Sequence, residues 1–294
     1  MASPTYQENP HIETRMGQAI RDIGIPPRPT ILAAIDQEMR KEEPDFSHLA
    51  KMLGADVALA AALLKTTNSP FFGFDKKVRS VHEALLVLGL RLVMRTIAGI
   101  SLKKAFKHLP DMERFWDASA STARVAGWVA RQLRRHCKIR AEDAYTFALF
   151  RDCGIPVLMS PFPEYRAVLA RANAERELCF TDVEDAMISM NHADVGASLA
   201  ESWLLPTDIV HAIRHHHSPN RLLAPEHEQL PKEVLGLIVI AQLAEHLLYE
   251  KTGMSRTFEW EKIAALGKSV LAIGDLDIAE LLSECHEAIS GEDD

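Results

Sequence analysis

The chain has 294 residues, 47% hydrophobic and 25% charged, the composition of an ordinary globular protein with enough chain for one large or two small packed cores. Its net charge of −8 excludes a broad electrostatic grip on nucleic acid, which needs a basic face. Cys137, Cys153, Cys179 and Cys285 are far apart and form no C-x-x-C pair, which excludes a disulfide frame or a zinc knuckle and points to reduced thiols.

From the N-terminus, Met1 to Glu13 is polar and has no apolar core of the secretory type, so the expected location is the cytoplasm. Residues 1–25 are expected to be an N-terminal segment with a short leading helix, stopped by the run Pro26, Pro27, Arg28, Pro29. Ile31, Leu32, Ile35 and Met39 then fall on one helical stripe. Asn68, Ser69, Pro70, Phe71, Phe72 and Gly73 read as a helix stop and turn that plugs the core with aromatic rings. Asn68 and Ser69 can bond local backbone, Pro70 forbids continuation, and Gly73 permits a left-handed turn.

Ser80 and Glu83 have capping-box spacing and predict a helix start, and so do Thr181 and Glu184. Gly54, Gly89, Gly154 and Gly253 are expected stops. Phe115, Ala118, Thr122, Val125, Val129 and Leu133 mark a long helix. Leu199 and Trp203, then Ile209, Val210 and Ile213, continue the pattern across Pro206. Arg131, Arg134, Arg135, Lys138 and Arg140 form one basic cluster without interleaved aromatic residues. It reads as the solvated end of that long helix, with an acidic protein partner as the second reading. The longest apolar run, Val234 to Leu243, is broken by Gly236 and Gln242 and is too short for a bilayer. Neither a membrane nor a nucleic-acid partner is expected. No segment alternates strictly between turn signals, so the fold class is all-α.

Several segments carry a resemblance: Leu63 and Leu64 leading into Asn68 to Gly73; Val78, Ser80 and Val81, then Ala84, Leu88 and Gly89; Trp116 to Ser119; Ala193 to Ala197; Trp203, Leu205 and Pro206; and Ala212 to His216. This series, over about residues 20 to 250, resembles the HDOD family, the HD-related output domains of bacterial signalling proteins. The resemblance implies a multi-helix HD-like bundle of two packed helical subdomains, 26–108 and 109–290.

It also implies where a metal-dependent HD phosphohydrolase would hold its ion, and there this chain departs. Ala118 stands where a first His belongs. Arg151 precedes Asp152 where adjacent His and Asp belong, and the last acid falls at Ala241 or Gln242. A guanidinium has five donors and no lone pair for a cation. The usual metal site is therefore expected to be lost, with no catalytic residue and no cofactor. Asp152 is expected to bond a helix end or a cation such as His192 or His216. Arg151 is expected to be solvated or ion-paired, with capture of a phosphate-bearing small ligand as the alternative.

The objection is 13 histidines. His211 and His215 lie four apart on one helix face, and His192 and Asp194 precede them. With Asp152 these offer a non-standard divalent-metal site. His215, His216 and His217 are consecutive and point about 100° apart, so they cannot chelate one ion together. Candidate pocket residues are thus Arg151, Asp152, His192, His211, His215 and His216. The expected function is a non-catalytic signalling module with a regulatory protein partner and a homodimer as one assembly. The alternatives are a divergent metal-dependent phosphohydrolase, such as a cyclic-dinucleotide phosphodiesterase, and a nucleotide sensor.

Overall fold

Helix starts and stops written into the sequence set most of the architecture. The structure, a computed structural model, describes residues 25–69, 71–74, 76–218, 222, 230–253 and 257–290. The expected leading helix lies outside them. Pro29 caps helix α1 (Thr30–Met39), whose Leu32 and Ile35 are fully buried. Asp45 and Asp56 cap α2 (Phe46–Gly54) and α3 (Val57–Thr67), each carboxylate accepting a backbone N–H. Asn68 closes α3 and locks the following turn. Its Nδ2 donates to the Val78 carbonyl at 2.9 Å and its Oδ1 accepts from the Val78 N–H at 2.7 Å. Gly73 takes φ +61°, the left-handed turn that its missing Cβ allows. Phe71 is buried against Tyr145, with the Arg131 guanidinium 4.6 Å above its ring. One member of the basic cluster is thereby spent on holding this plug.

Ser80 starts α4 (Val81–Ala105) by accepting the Glu83 N–H; the Glu83 carboxylate reaches back to the Arg79 N–H, one residue earlier than a strict box. Gly89 kinks α4 rather than stopping it, with φ +72°. By length and composition α4 is the one unbroken helix, among the described residues, that could cross a membrane, and it exceeds the Val234–Leu243 run. It instead packs against α1, α2 and α3, and reaches α6 in the second half of the chain.

That half is built on three mutually packed helices, α5 (Glu113–Gln132), α6 (Ala141–Phe150) and α12 (Lys232–Thr252). Between α6 and α12 run α7 (Gly154–Met159), α8 (Tyr165–Ala174), α9 (Phe180–Ile188), α10 (His192–Ser202) and α11 (Thr207–His215). The chain continues through α13 (Glu259–Leu271), α14 (Asp275–Glu284) and α15 (His286–Ser290). Among the described residues there is no strand, so the molecule is all-α. Trp203, Tyr165, Phe147 and Phe150 are essentially inaccessible, and each such side chain contributes roughly 1.5–3 kcal/mol of apolar burial.

Besides Gly89, two expected punctuation marks act differently. Gly154 opens α7 instead of ending a helix. A Cβ there would sit 2.0 Å from the His192 carbonyl oxygen, so glycine is what lets α7 touch α10. Thr181 is not a cap: α9 begins at Phe180 with Cys179 as its N-cap, and Asp182 accepts the Cys179 N–H at 3.3 Å. Glu184, freed from capping, is fully buried.

Candidate functional site

The site forms where the C-terminal end of α6, the N-terminus of α10 and the turn after α11 meet. Asp152 follows α6. His192 is the first residue of α10, whose start is fixed by Asn191 accepting the Asp194 N–H at 2.9 Å. The close approach of Gly154 to the His192 carbonyl brings these two side chains together. His216 and His217 leave α11 at its last turn, since the helix ends at His215.

These four residues form a cluster. Asp152, His192, His216 and His217 each place a ligand atom within 4.8 Å of all the others. Asp152 Oδ1 lies 3.5 Å from His192 Nε2 and 3.3 Å from His216 Nε2, and the two imidazole nitrogens are 3.3 Å apart. Each ring's other nitrogen is already committed. His192 Nδ1–H donates to Glu184 Oε2 at 2.7 Å, His216 Nδ1–H to the Ile213 carbonyl at 2.7 Å, and His217 Nδ1–H to Glu259 Oε2 at 2.9 Å. A carbonyl only accepts, so the His216 proton resides on Nδ1 and its Nε2 lone pair faces the cluster. Tyr165 donates to the remaining Glu184 oxygen, and Lys262 braces Glu259 at 2.8 Å. Phe180 stacks on the His217 ring at 5.0 Å.

The second oxygen of Asp152 faces the other way. Arg151 is 7% exposed and spreads its guanidinium across two carboxylates. Nε and Nη2 reach Asp152 Oδ2 at 3.2 and 2.9 Å, while Nη2 reaches Glu245 Oε1 at 2.9 Å. Thr257 donates to the other Glu245 oxygen at 3.0 Å. Asp152 is therefore a bridge, with histidines on Oδ1 and a fixed cation on Oδ2. A cavity of about 210 Å³ opens beside it, lined by Arg151, Asp152, His192, His217, Glu245 and Thr257 among others.

Protonation follows from these contacts. Burial disfavours the Asp152 anion, but Arg151, His192 and His216 outweigh it and hold the carboxyl well below the usual range. Burial also lowers His192, yet the Glu184 and Asp152 carboxylates prevail and raise it to about 10. His216 has no such excess of negative neighbours: burial, then His217, push it down to about 3. A proton on His192 Nε2 thus points at Asp152 Oδ1 and the His216 lone pair.

Of the residues singled out from sequence, Arg151, Asp152, His192 and His216 meet here, while His211 and His215 lie outside the cluster, His211 on an exposed surface. His217 takes their place. Consecutive histidines diverge only along a continuing helix. Past His215 the chain leaves the helix, and the His216 and His217 ring centres lie 4.1 Å apart. Asp194 pairs with Arg214 at 3.0 Å and serves α10 and α11 packing. Gln242 is 2% exposed and donates from Nε2 to the His216 carbonyl at 3.0 Å. The acid that α12 offers to the pocket is Glu245, three residues on. Ala118 lines an adjoining cavity with Glu245. Sequence reasoning missed Glu184, His217, Glu245 and Glu259; the run His215 to His217 was the signal for His217, and the three acids, on three separate helices, have no spacing that marks them.

The donor set suits one divalent transition metal. Three imidazoles with Nδ1–H committed elsewhere, plus a carboxylate, are the chemistry such ions take. Held there, an ion would cross-link the segments that supply its ligands, and the chain's part would be to fix those ligands through Glu184, Glu259 and the Ile213 carbonyl. The guanidinium side of Asp152 offers no lone pair to any ion.

Comparison with known proteins agrees with the fold. One solved structure, from Shewanella amazonensis SB2B and named "Putative phosphohydrolase", superposes with a TM-score of 0.64 at 19% identity, covering 93% of this chain and 95% of that one. A second, from Marinobacter aquaeolei VT8 and named "Putative signal transduction protein", gives 0.65 at 23% identity over 92% of this chain and 58% of that one. An uncharacterized protein of Treponema pallidum (strain Nichols) is 27% identical over 242 residues, 81% of this chain; the chain spans about half of that relative, 46%. The HDOD domain model matches residues 25–219, two thirds of the chain and every segment that carries the site up to His217. The chain belongs to the HDOD domain family.

Proposed function

We propose that this protein is a non-hydrolytic regulatory module of bacterial signal transduction, working in the cytoplasm through a protein partner or a sensed ligand. One observation carries the reading: the Arg151 guanidinium lies between Asp152 and Glu245, 2.9 Å from each. Metal-assisted phosphoryl hydrolysis needs a cation with an open position toward the substrate. Here the open side of Asp152 is taken by a cation that cannot polarise a bound water as a metal does. Four of the five N–H donors of Arg151 already engage carboxylates, so bidentate capture of a phosphate-bearing ligand would have to displace one. The 210 Å³ cavity is smaller than the roughly 300–1,000 Å³ typical of small-molecule sites, which speaks against a nucleotide substrate. The free thiols Cys137, Cys153, Cys179 and Cys285 fit a reducing compartment.

A second reading, a one-ion phosphohydrolase, is favoured by the cluster of Asp152, His192, His216 and His217. The full chain, incubated separately with Mn²⁺, Fe²⁺ and Zn²⁺ and offered bis(p-nitrophenyl) phosphate and cyclic dinucleotides, separates the two. The regulatory reading expects release no faster than in an Asp152→Asn sample. Metal-dependent turnover that disappears in Asp152→Asn overturns it.

A further inference from the structure

We infer that the histidine cluster is a closed, single-ion site for a borderline transition metal such as Zn²⁺, and that Arg151 stands as a built-in cation in place of any second ion. The inference deepens the non-hydrolytic reading and rests on it only in holding that the ion is not a catalyst.

The distances decide the first half. Bonds of roughly 2.0–2.1 Å in a tetrahedron place ligand atoms about 3.3–3.4 Å apart. Three edges among Asp152 Oδ1, His192 Nε2 and His216 Nε2 measure 3.5, 3.3 and 3.3 Å. An ion fits this triangle without backbone movement. The fourth donor, His217, lies within 4.8 Å of the other three. Its ring is partnered by Glu259 on the far side, so Nε2 is the nitrogen left for the ion. Each imidazole is oriented by an acceptor behind it, the outer shell that metal-bound histidines use. With four protein donors, no coordination position remains for water or substrate, which is the mark of a structural rather than a catalytic site.

The second half follows from how Asp152 divides its oxygens. Oδ1 serves the histidines, and Oδ2 serves Arg151. A bridging carboxylate of this kind joins two cation positions. Glu245 lies opposite Asp152 across the second position, and the guanidinium fills it. The ion would tie together the end of α6, the start of α10 and the turn after α11, three points far apart in sequence. A metal site with this span would hold those elements at the spacing they already have.

Titration of the full, chelator-treated chain with Co²⁺ tests the inference by spectrum and stoichiometry, without any turnover. The expected result is one equivalent bound, with the intense visible bands of a four-coordinate ion and a raised melting temperature. His217→Ala should weaken binding at least tenfold, whereas His211→Ala leaves it unchanged. Circular dichroism shows whether each variant keeps its helices, and the wild-type titration stands whatever the variants do. No bound Co²⁺, the faint bands of a six-coordinate ion, or two equivalents in the wild type would each overturn the inference. Failure here leaves the absence of hydrolysis unaffected, because hydrolysis is read in a separate assay.

Discussion

Replacing Arg151 by Met removes the guanidinium while keeping most of the buried stem. Asp152 and Glu245, side chains 21% and 12% exposed, then face one another without the cation between them. Breaking one side of a buried ion pair costs about 3–5 kcal/mol, because the remaining charge loses its partner without regaining water. Asp152 keeps the His192 imidazolium, and both carboxylates retain some solvent, so the lower end applies, about 3 kcal/mol. For a chain of this size, at roughly 2 °C per kcal/mol, the melting temperature should fall by about 6 °C. Urea denaturation followed by circular dichroism at pH 7 measures the free energy, provided the slope is unchanged. In the Arg151→Met background, Glu245→Gln should recover part of the loss by removing one of the two opposed charges; the pair is therefore non-additive. A cost below about 1 kcal/mol for Arg151→Met, as for an exposed pair, would refute the claim that the guanidinium is locked in the pocket.

In chelated protein, His192 contributes stability that is complete below its unfolded value of 6.5 and is lost as pH rises through about 10. His216 acts in the opposite range: its stabilising neutrality is present above 6.5 and is lost as pH falls toward about 3. Their sum predicts a stability maximum near neutral pH. Guanidinium titrations at several pH values check it, and a monotonic profile from pH 4 to 9 would contradict it. Gly154→Ala should cost about 3 kcal/mol or more, since its Cβ meets backbone rather than a movable side chain; thermal melts that match the wild type would refute the close approach. Asn68→Ala removes two bonds to Val78 and should cost about 1–3 kcal/mol. A hydrogen-exchange experiment should then show the Val78 amide losing protection before those of α4.

Much of the fold was legible because helical stripes, proline caps and aspartate caps act locally. The stripe of Leu32 and Ile35, the Pro206 break between α10 and α11, and the Ser80 cap all depend on neighbours within one turn. The departure at Arg151 was legible too, since no environment turns a guanidinium into a metal ligand. What was hidden depends on distant packing. Glu184 has the spacing of a capping residue, and only burial beside His192 and Tyr165 gives it another role. His217 was set aside because helical periodicity was extended past the point where α11 ends. Glu245 lies three residues beyond the position where an acid was sought. One turn of α12 decides which side chain faces Asp152, and a motif without its helix does not fix that turn.

The central claim is that one side of Asp152 holds Arg151 and the other side holds at most one ion. A crystal structure of the metal-loaded chain, with anomalous data collected at the metal edge, tests this directly. The expected map has one anomalous peak among Asp152 Oδ1, His192, His216 and His217, with the guanidinium still bridging Asp152 Oδ2 and Glu245. A second peak between Asp152 and Glu245, with Arg151 swung out of the pocket, would contradict the account.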